Sequence, residues 1–224
     1  MAFPSTGILD SFTRANEGPP PSASWSGPIT TGESQTKVVS NGIVPENTNT
    51  VTPYTNYWNP GTFGPNSEAY SKITTVGNEG DIHKLFCRVV DGGGSADGYE
   101  LNVINRAATT TVRFTVWRVD NGVRTQLGAT IDDASIMAAG DQFGFEAVSD
   151  TLTAYRNSGS WASKGTRTDS TYSAAGNIGV GFTSTGLGAN GMVADDFGGG
   201  TVVTGGATLA SDTPRPIMGR GATW

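Results

Sequence analysis

The run Val112-Arg-Phe-Thr-Val-Trp-Arg-Val-Asp-Asn-Gly-Val-Arg-Thr-Gln-Leu127 decides the fold class. Apolar and polar residues alternate at period two up to Val119. Val112, Phe114 and Val116 therefore share one face of an extended strand, and Arg113 and Thr115 lie on the other. Asp120-Asn-Gly122 follows, and its Asn-Gly pair tolerates the positive φ angles of a tight turn. The chain then returns through Val123 to Leu127. A helix needs apolar residues every three or four positions, so this stretch reads as a β-hairpin.

The same pattern extends in both directions over residues 67–205, with Gly, Asn or Asp closing each run. Upstream, Tyr99, Leu101 and Val103 share a face, Ile82 to Val90 forms another run, and Tyr70, Ile73 and Val76 lie in an earlier one. Downstream, strands are expected at Gln142 to Val148, Thr151 to Arg156, Ile178 to Ser184 and Met192 to Phe197. With those near the N terminus, the total is about a dozen. Only Ile131 to Ala139 allows a turn or so of helix before Gly140 stops it. Many short strands without intervening helices predict an all-β fold: two packed antiparallel sheets in a jelly-roll sandwich.

Composition agrees. The 224 residues include 32 glycines and 11 prolines, only 15% are charged and 36% are hydrophobic, which excludes a helical bundle and a coiled coil yet supplies a core. The net charge of -6, with no cluster of Lys or Arg, excludes nucleic acid as a partner. No run approaches the ~20 apolar residues of a membrane span, and the start has neither a basic segment nor a long apolar one, so neither a membrane partner nor a secretion signal is expected. One cysteine, Cys87, cannot form an intramolecular disulfide.

The one histidine, His83, stands four residues before Cys87. On a strand the two lie on one face but more than ~13 Å apart, too far for a nucleophile and its base. His83 is expected at the surface or rim and Cys87 as a small buried residue. One His and one Cys cannot furnish a zinc site.

The sandwich is expected to occupy residues 1–204, with an irregular crossing at 13–35 around Pro19-Pro-Pro. Residues 205–224 have little to bury and read as an extended C-terminal arm. Such a segment orders only against a neighbour, so an assembly strap is expected, with Leu209, Ile217, Met218 and Trp224 as apolar anchors and Arg215 and Arg220 as charged ones.

Ile8-Leu-Asp-Ser-Phe-Thr-Arg-Ala-Asn-Glu-Gly18, with Trp25 after it, resembles the opening strand of concanavalin A-like, LamG-like jelly rolls. Gly140-Asp-Gln-Phe-Gly-Phe-Glu146, Leu152-Thr-Ala-Tyr-Arg-Asn157, Gly176-Asn-Ile-Gly-Val-Gly181 and Ala194-Asp-Asp-Phe197 resemble the closing series of the same domains, in the same order. The resemblance covers about residues 7 to 200 and implies that the last strand lies beside the first. It also implies a structural calcium ion, with Asp10, Asp195 and Asp196 as converging carboxylates. No other cofactor is expected.

The family includes lectins, glycan-binding modules, glycoside hydrolases and phage structural proteins, and fold does not choose among them. Its hydrolases carry paired carboxylates on a Glu-x-Asp-x-(x)-Glu strand, absent here. The glutamates Glu17, Glu33, Glu46, Glu68, Glu79, Glu100 and Glu146 are scattered along the chain, so no enzyme activity is expected. Glycan binding uses exposed aromatic faces, and Tyr57, Trp58, Trp161 and Tyr172 stand in polar, loop-like contexts suited to it.

Two functions follow as expectations. The first is a non-enzymatic structural protein of a tailed-bacteriophage virion, a minor tail or capsid decoration subunit assembled in the host cytoplasm with other virion proteins and copies of itself. The alternative is a lectin-like module binding host cell-surface glycan.

Overall fold

A computed structural model describes residues 2–48, 51–90, 95–185 and 191–203. The expected arm at 205–224, with Leu209, Arg215, Ile217, Met218, Arg220 and Trp224, lies outside the described residues. The strands of the first half are β1 (Ile8–Asp10), β2 (Trp25–Ser26), β3 (Thr36–Val39), β4 (Gly42–Pro45), β5 (Pro53–Trp58), β6 (Ser67–Thr75), β7 (Ile82–Val90) and β8 (Asp97–Arg106). Those of the second are β9 (Thr111–Asp120), β10 (Val123–Gln126), β11 (Ile131–Asp133), β12 (Gln142–Val148), β13 (Thr151–Asn157), β14 (Trp161–Thr168), β15 (Asn177–Thr183) and β16 (Val193–Thr201).

They form two antiparallel sheets of eight strands. Sheet I runs β14-β13-β12-β6-β16-β4-β3 with β1 on β16, and sheet II runs β10-β9-β8-β7-β15-β5-β2 with β11 on β9. This is the two-sheet jelly roll expected, with the first strand against the last: Ile8 pairs with Gly198 and Asp10 with Phe197. The hairpin also forms as read. Val123 pairs with Asp120, and Asn121 and Gly122 take φ of 47° and 78°.

The inward faces of both sheets make one core. Phe143, Phe145 and Ala147 of β12 meet Leu101 and Val103 of β8 and Val112, Phe114 and Val116 of β9. Phe12, Trp25 and Phe197 close one region of it, with Trp25 stacked on Phe12 and edge-on to Phe197. The irregular 13–35 segment crosses the outside of sheet II. Its Ile29 packs with Phe86, Val89 and Ala96, and Glu33 reaches Arg124 at 2.5 Å. Arg124 and Lys84 both pair at 2.6 Å with the fully buried Glu100. Burial opposes the charge on Glu100, but these two cations outweigh it and hold its carboxyl below the usual range.

Three local expectations are corrected. Residues 131–133 extend as β11 instead of a helical turn, because Gly128 (φ 70°) turns the chain back and Ile131 pairs with Phe114. Residues 161–168 form the edge strand β14, which alternation did not reveal because an edge strand with little buried surface has no apolar face to mark. His83 is fully buried between the sheets and not at a rim: its Nε2 lies 2.7 Å from Ser71 Oγ and its ring 5.3 Å from that of Phe182. Burial pushes its pKa down to about 3. Cys87 is buried as expected, and burial pushes its thiol up to about 12, which keeps it protonated.

Candidate functional site

The outer face of sheet I carries an aromatic cluster that combines flat rings, carboxylates and amides. Antiparallel register sorts its side chains into cross-strand rows. One row reads Gly198, Tyr70, Gly144, Tyr155 and Ser163 across β16, β6, β12, β13 and β14. The next reads Gly200, Glu68, Glu146 and Thr153, and the row on the other side reads Asp195, Lys72, Gln142, Asn157 and Trp161.

Glycine at 144, between two tyrosines, leaves a slot. Its walls are Tyr70, Tyr155 and the Trp161 ring, and Phe3 fills it. The Phe3 ring stacks on Tyr155 with centroids 4.0 Å apart and planes 4° from parallel, and it meets Trp161 edge-on at 4.8 Å and Tyr70 at 6.3 Å. A Cβ at Gly144 would lie 2.2 Å from Phe3 Cζ, so a side chain there would displace the Phe3 ring. At Gly198 a Cβ would lie 2.2 Å from Tyr70 Cζ, so that glycine seats the tyrosine.

Below the slot, Glu68 and Glu146 stand directly opposite each other on β6 and β12. Glu68 is fully buried. Its Oε1 accepts from the amides of Ser5 and Thr6 and from Thr6 Oγ1, each at 2.7 Å, and from Ser5 Oγ at 3.2 Å. Its Oε2 has no partner. Tyr155 donates its hydroxyl to Glu146 Oε2 at 3.2 Å, and Tyr70 donates to the Thr6 carbonyl at 2.9 Å. Burial holds Glu146 above the usual carboxylate range; the Tyr155 bond opposes this and Glu68 adds to it. Burial, with Glu146 beside it, pushes Tyr155 up to about 12. Above the slot, Asn157 donates to Gln142 Oε1 at 2.8 Å.

The four aromatic residues expected to face sugar are dispersed. Trp161 alone belongs to this cluster, on β14. Trp58 turns toward the core and meets Trp25 edge-on at 5.4 Å. Its neighbour Tyr57 faces the other way, onto the cluster around Ile29. Tyr172 is tied down at an end of the sandwich, its hydroxyl 2.7 Å from Asp120 and 3.1 Å from Asp97. Trp58, Tyr57 and Tyr172 thus each pack on or bond to their own domain and do not line the slot.

The expected calcium ligands sit where β1 pairs with β16. Among the described residues no group of three His, Cys, Asp or Glu is placed to hold a metal ion. Asp10 is committed elsewhere: Arg14 binds it bidentately at 2.6 and 3.1 Å, Trp25 Nε1 donates at 2.8 Å and the Phe12 amide at 2.8 Å. Asp195 lies across from Lys72, and Asp196 is 4.0 Å from Lys72 Nζ. Burial raises the Asp195 carboxyl above its usual range, and Asp196 and Asp10 add to it.

An open cavity lies elsewhere. It measures about 510 Å³ and is lined by Ser34, Lys37, Glu46, Asn47, Thr52 and Tyr54 beside edge strand β3. It is polar, and its one aromatic ring, Tyr54, is buried, so it offers no stacking face.

No protein-family model and no curated protein matches the chain. Solved structures do. The chain is similar to the exoplasmic/lumenal domain of VIP36 in its metal-free form, with 11% identity over 92% of this chain and 95% of that one and a TM-score of 0.60. It is similar to the CBM2 module of the evolved Dit of Lactobacillus casei BL23 phage J-1, with 12% identity over 87% and 94% and a TM-score of 0.54. It is also similar to the carbohydrate-binding module CBM66 from Bacillus subtilis, with 16% identity over 80% and 94% and a TM-score of 0.50. The fold is that of the concanavalin A-like, lectin-like sandwich. At these identities the likeness is one of fold alone.

Proposed function

We propose that this chain is a non-catalytic glycan-binding module whose ligand stacks on the outer face of sheet I. The observation that carries this reading is the slot itself: Tyr70, Tyr155 and Trp161 walls over a glycine floor, flanked by Glu68, Glu146, Gln142 and Asn157. A flat apolar ring face with amide and carboxylate groups at its edge is what a pyranose presents its C–H face and hydroxyls to. The lectin and carbohydrate-binding modules of the same fold support the reading. Binding without cleavage is favoured because the chain lacks the Glu-x-Asp-x-(x)-Glu strand of the hydrolases of this fold.

A glycan array on the purified chain tests this. Trp161→Ala and Tyr155→Ala should abolish the signal, whereas Lys37→Ala and Glu46→Ala should leave it. The opposite pattern would move the ligand to the cavity beside β3.

A second reading places the module on a tailed-phage virion, facing host surface glycan. It is supported by the likeness to the phage J-1 Dit module and by the strap-like composition of 205–224. Immunodetection of the chain in purified particles tests it, and absence from the particles would refute it.

A further inference from the structure

The glycan-binding slot is full, and what fills it describes its ligand. We propose that residues 3–6 are a self-ligand: they hold the slot by the contacts a neutral or amino sugar would make, and glycan enters by displacing them. This rests on the glycan-binding reading and adds to it both the class of sugar and the competition for the site.

The contacts of the segment are those of a ligand more than those of a strand. Phe3 supplies one flat ring against Tyr155, and Ser5 and Thr6 supply two hydroxyls and two amides converging on Glu68 Oε1. A pyranoside with adjacent hydroxyls or an acetamido group offers the same pair: a ring face and a fan of donors beside it.

Release costs no sheet hydrogen bonds. Among the described residues, residues 2–6 take no part in a backbone–backbone hydrogen bond; the first is accepted by Gly7 from Gly199. Gly7 has nothing within 4 Å of its Cβ position, so the chain has room to swing there before β1 begins at Ile8. The segment also leaves the site unfinished. Glu68 is fully buried, yet its Oε2 has no partner, an acceptor that residues 3–6 do not satisfy.

The charges set the class. Glu68 and Glu146 face each other across one strand pair, so a uronic or sialic acid would bring a third negative charge onto them. Neutral sugars and cationic amino sugars meet no such penalty.

The test uses the full chain and its Phe3→Ala variant, titrated with cello-, chito-, chitosan and polygalacturonic oligosaccharides. Phe3→Ala should bind a neutral or amino oligosaccharide at least tenfold more tightly than the unaltered chain, because the bound state no longer competes with an occupied slot. The acidic series should show no binding to either. Adding Trp161→Ala to Phe3→Ala should remove binding. A peptide of residues 2–7, Ala-Phe-Pro-Ser-Thr-Gly, should displace the oligosaccharide from Phe3→Ala.

Equal affinity of folded Phe3→Ala and unaltered chain, failure of the peptide to compete, or binding of the acidic series would each overturn the self-ligand. If both proteins bind equally and lose binding in Trp161→Ala, the glycan reading stands and the self-ligand falls. If neither protein binds any sugar, both fall.

Discussion

Acidification should weaken this fold through one buried ring. His83 is wholly inside the sandwich, and burial pushes its pKa from 6.5 to about 3, with the Gly181 backbone favouring the charged form only in part. The folded chain therefore keeps the ring neutral where the unfolded chain takes up a proton. Between those two values the unfolded state binds more protons, so the stability is fully present above pH 6.5 and is lost as pH falls toward 3. Integrating the two titrations gives a loss of about 2 kcal/mol at pH 5 and about 3 kcal/mol at pH 4. Glu146 and Asp195 contribute the opposite slope, since burial raises their carboxyls and the fold favours their protonated forms. The comparison must therefore be a difference. Urea unfolding of the unaltered chain and of His83→Gln, which still offers Ser71 a hydrogen-bonding side chain but does not titrate, should be run from pH 7.5 to 4.5. The stability of the unaltered chain relative to the variant should fall by about 2 kcal/mol between pH 7.5 and 5. Parallel curves, within about 0.5 kcal/mol over that range, would refute the reasoning, because they would mean the ring is hydrated or charged in the folded chain.

Further predictions concern the buried ions, catalysis and calcium. Arg156→Ala should cost about 3–5 kcal/mol in urea unfolding, since the guanidinium is buried against Asp141 at 2.6 Å and Asp133 at 3.0 Å and its loss takes the cation from buried Asp141, while Asp133 keeps Lys164 at 3.0 Å; a cost below about 1 kcal/mol would show that water reaches Asp141. Neither the unaltered chain nor Phe3→Ala should release reducing ends from the oligosaccharides between pH 4 and 7, and release that disappears in Glu146→Gln would make the Glu68–Glu146 pair catalytic. Millimolar calcium and EDTA should give the same melting temperature, because Arg14 and Trp25 already satisfy Asp10; a rise with calcium would show that these bonds yield to a metal.

The fold was legible wherever its information is local or periodic. Asp120-Asn-Gly122 specifies its own turn, and alternation in 112–119 fixes which side chains face inward before any partner strand is known. Even His83 carried its signal: it shares a face at period two with Leu85 and Cys87, both core residues, so an inward ring follows once the alternation is extended to it. Asp10 carried one as well, because Arg14 four residues on is a competing partner for any cation. The β14 strand carried none. Residues 161–168 lie at a sheet edge and are largely solvated on both faces, so burial imposes no pattern on them.

The slot was illegible for a different reason. Glu68, Tyr70, Gly144, Glu146, Tyr155 and Trp161 come from four strands and are neighbours only through register, which no spacing along the chain encodes. Among the chain's 32 glycines, the one that opens the slot is picked out solely by standing between Tyr70 and Tyr155 in one cross-strand row. The scattered glutamates mislead in the same way, since residues 68 and 146 are far apart in sequence and directly opposed in the sheet. Phe3 completes the argument. A lone aromatic residue in the segment before β1 has no periodicity to mark it, yet it fills the space that the glycine leaves. The face it covers is thus defined twice: by the rows that build it and by the ring that occupies it.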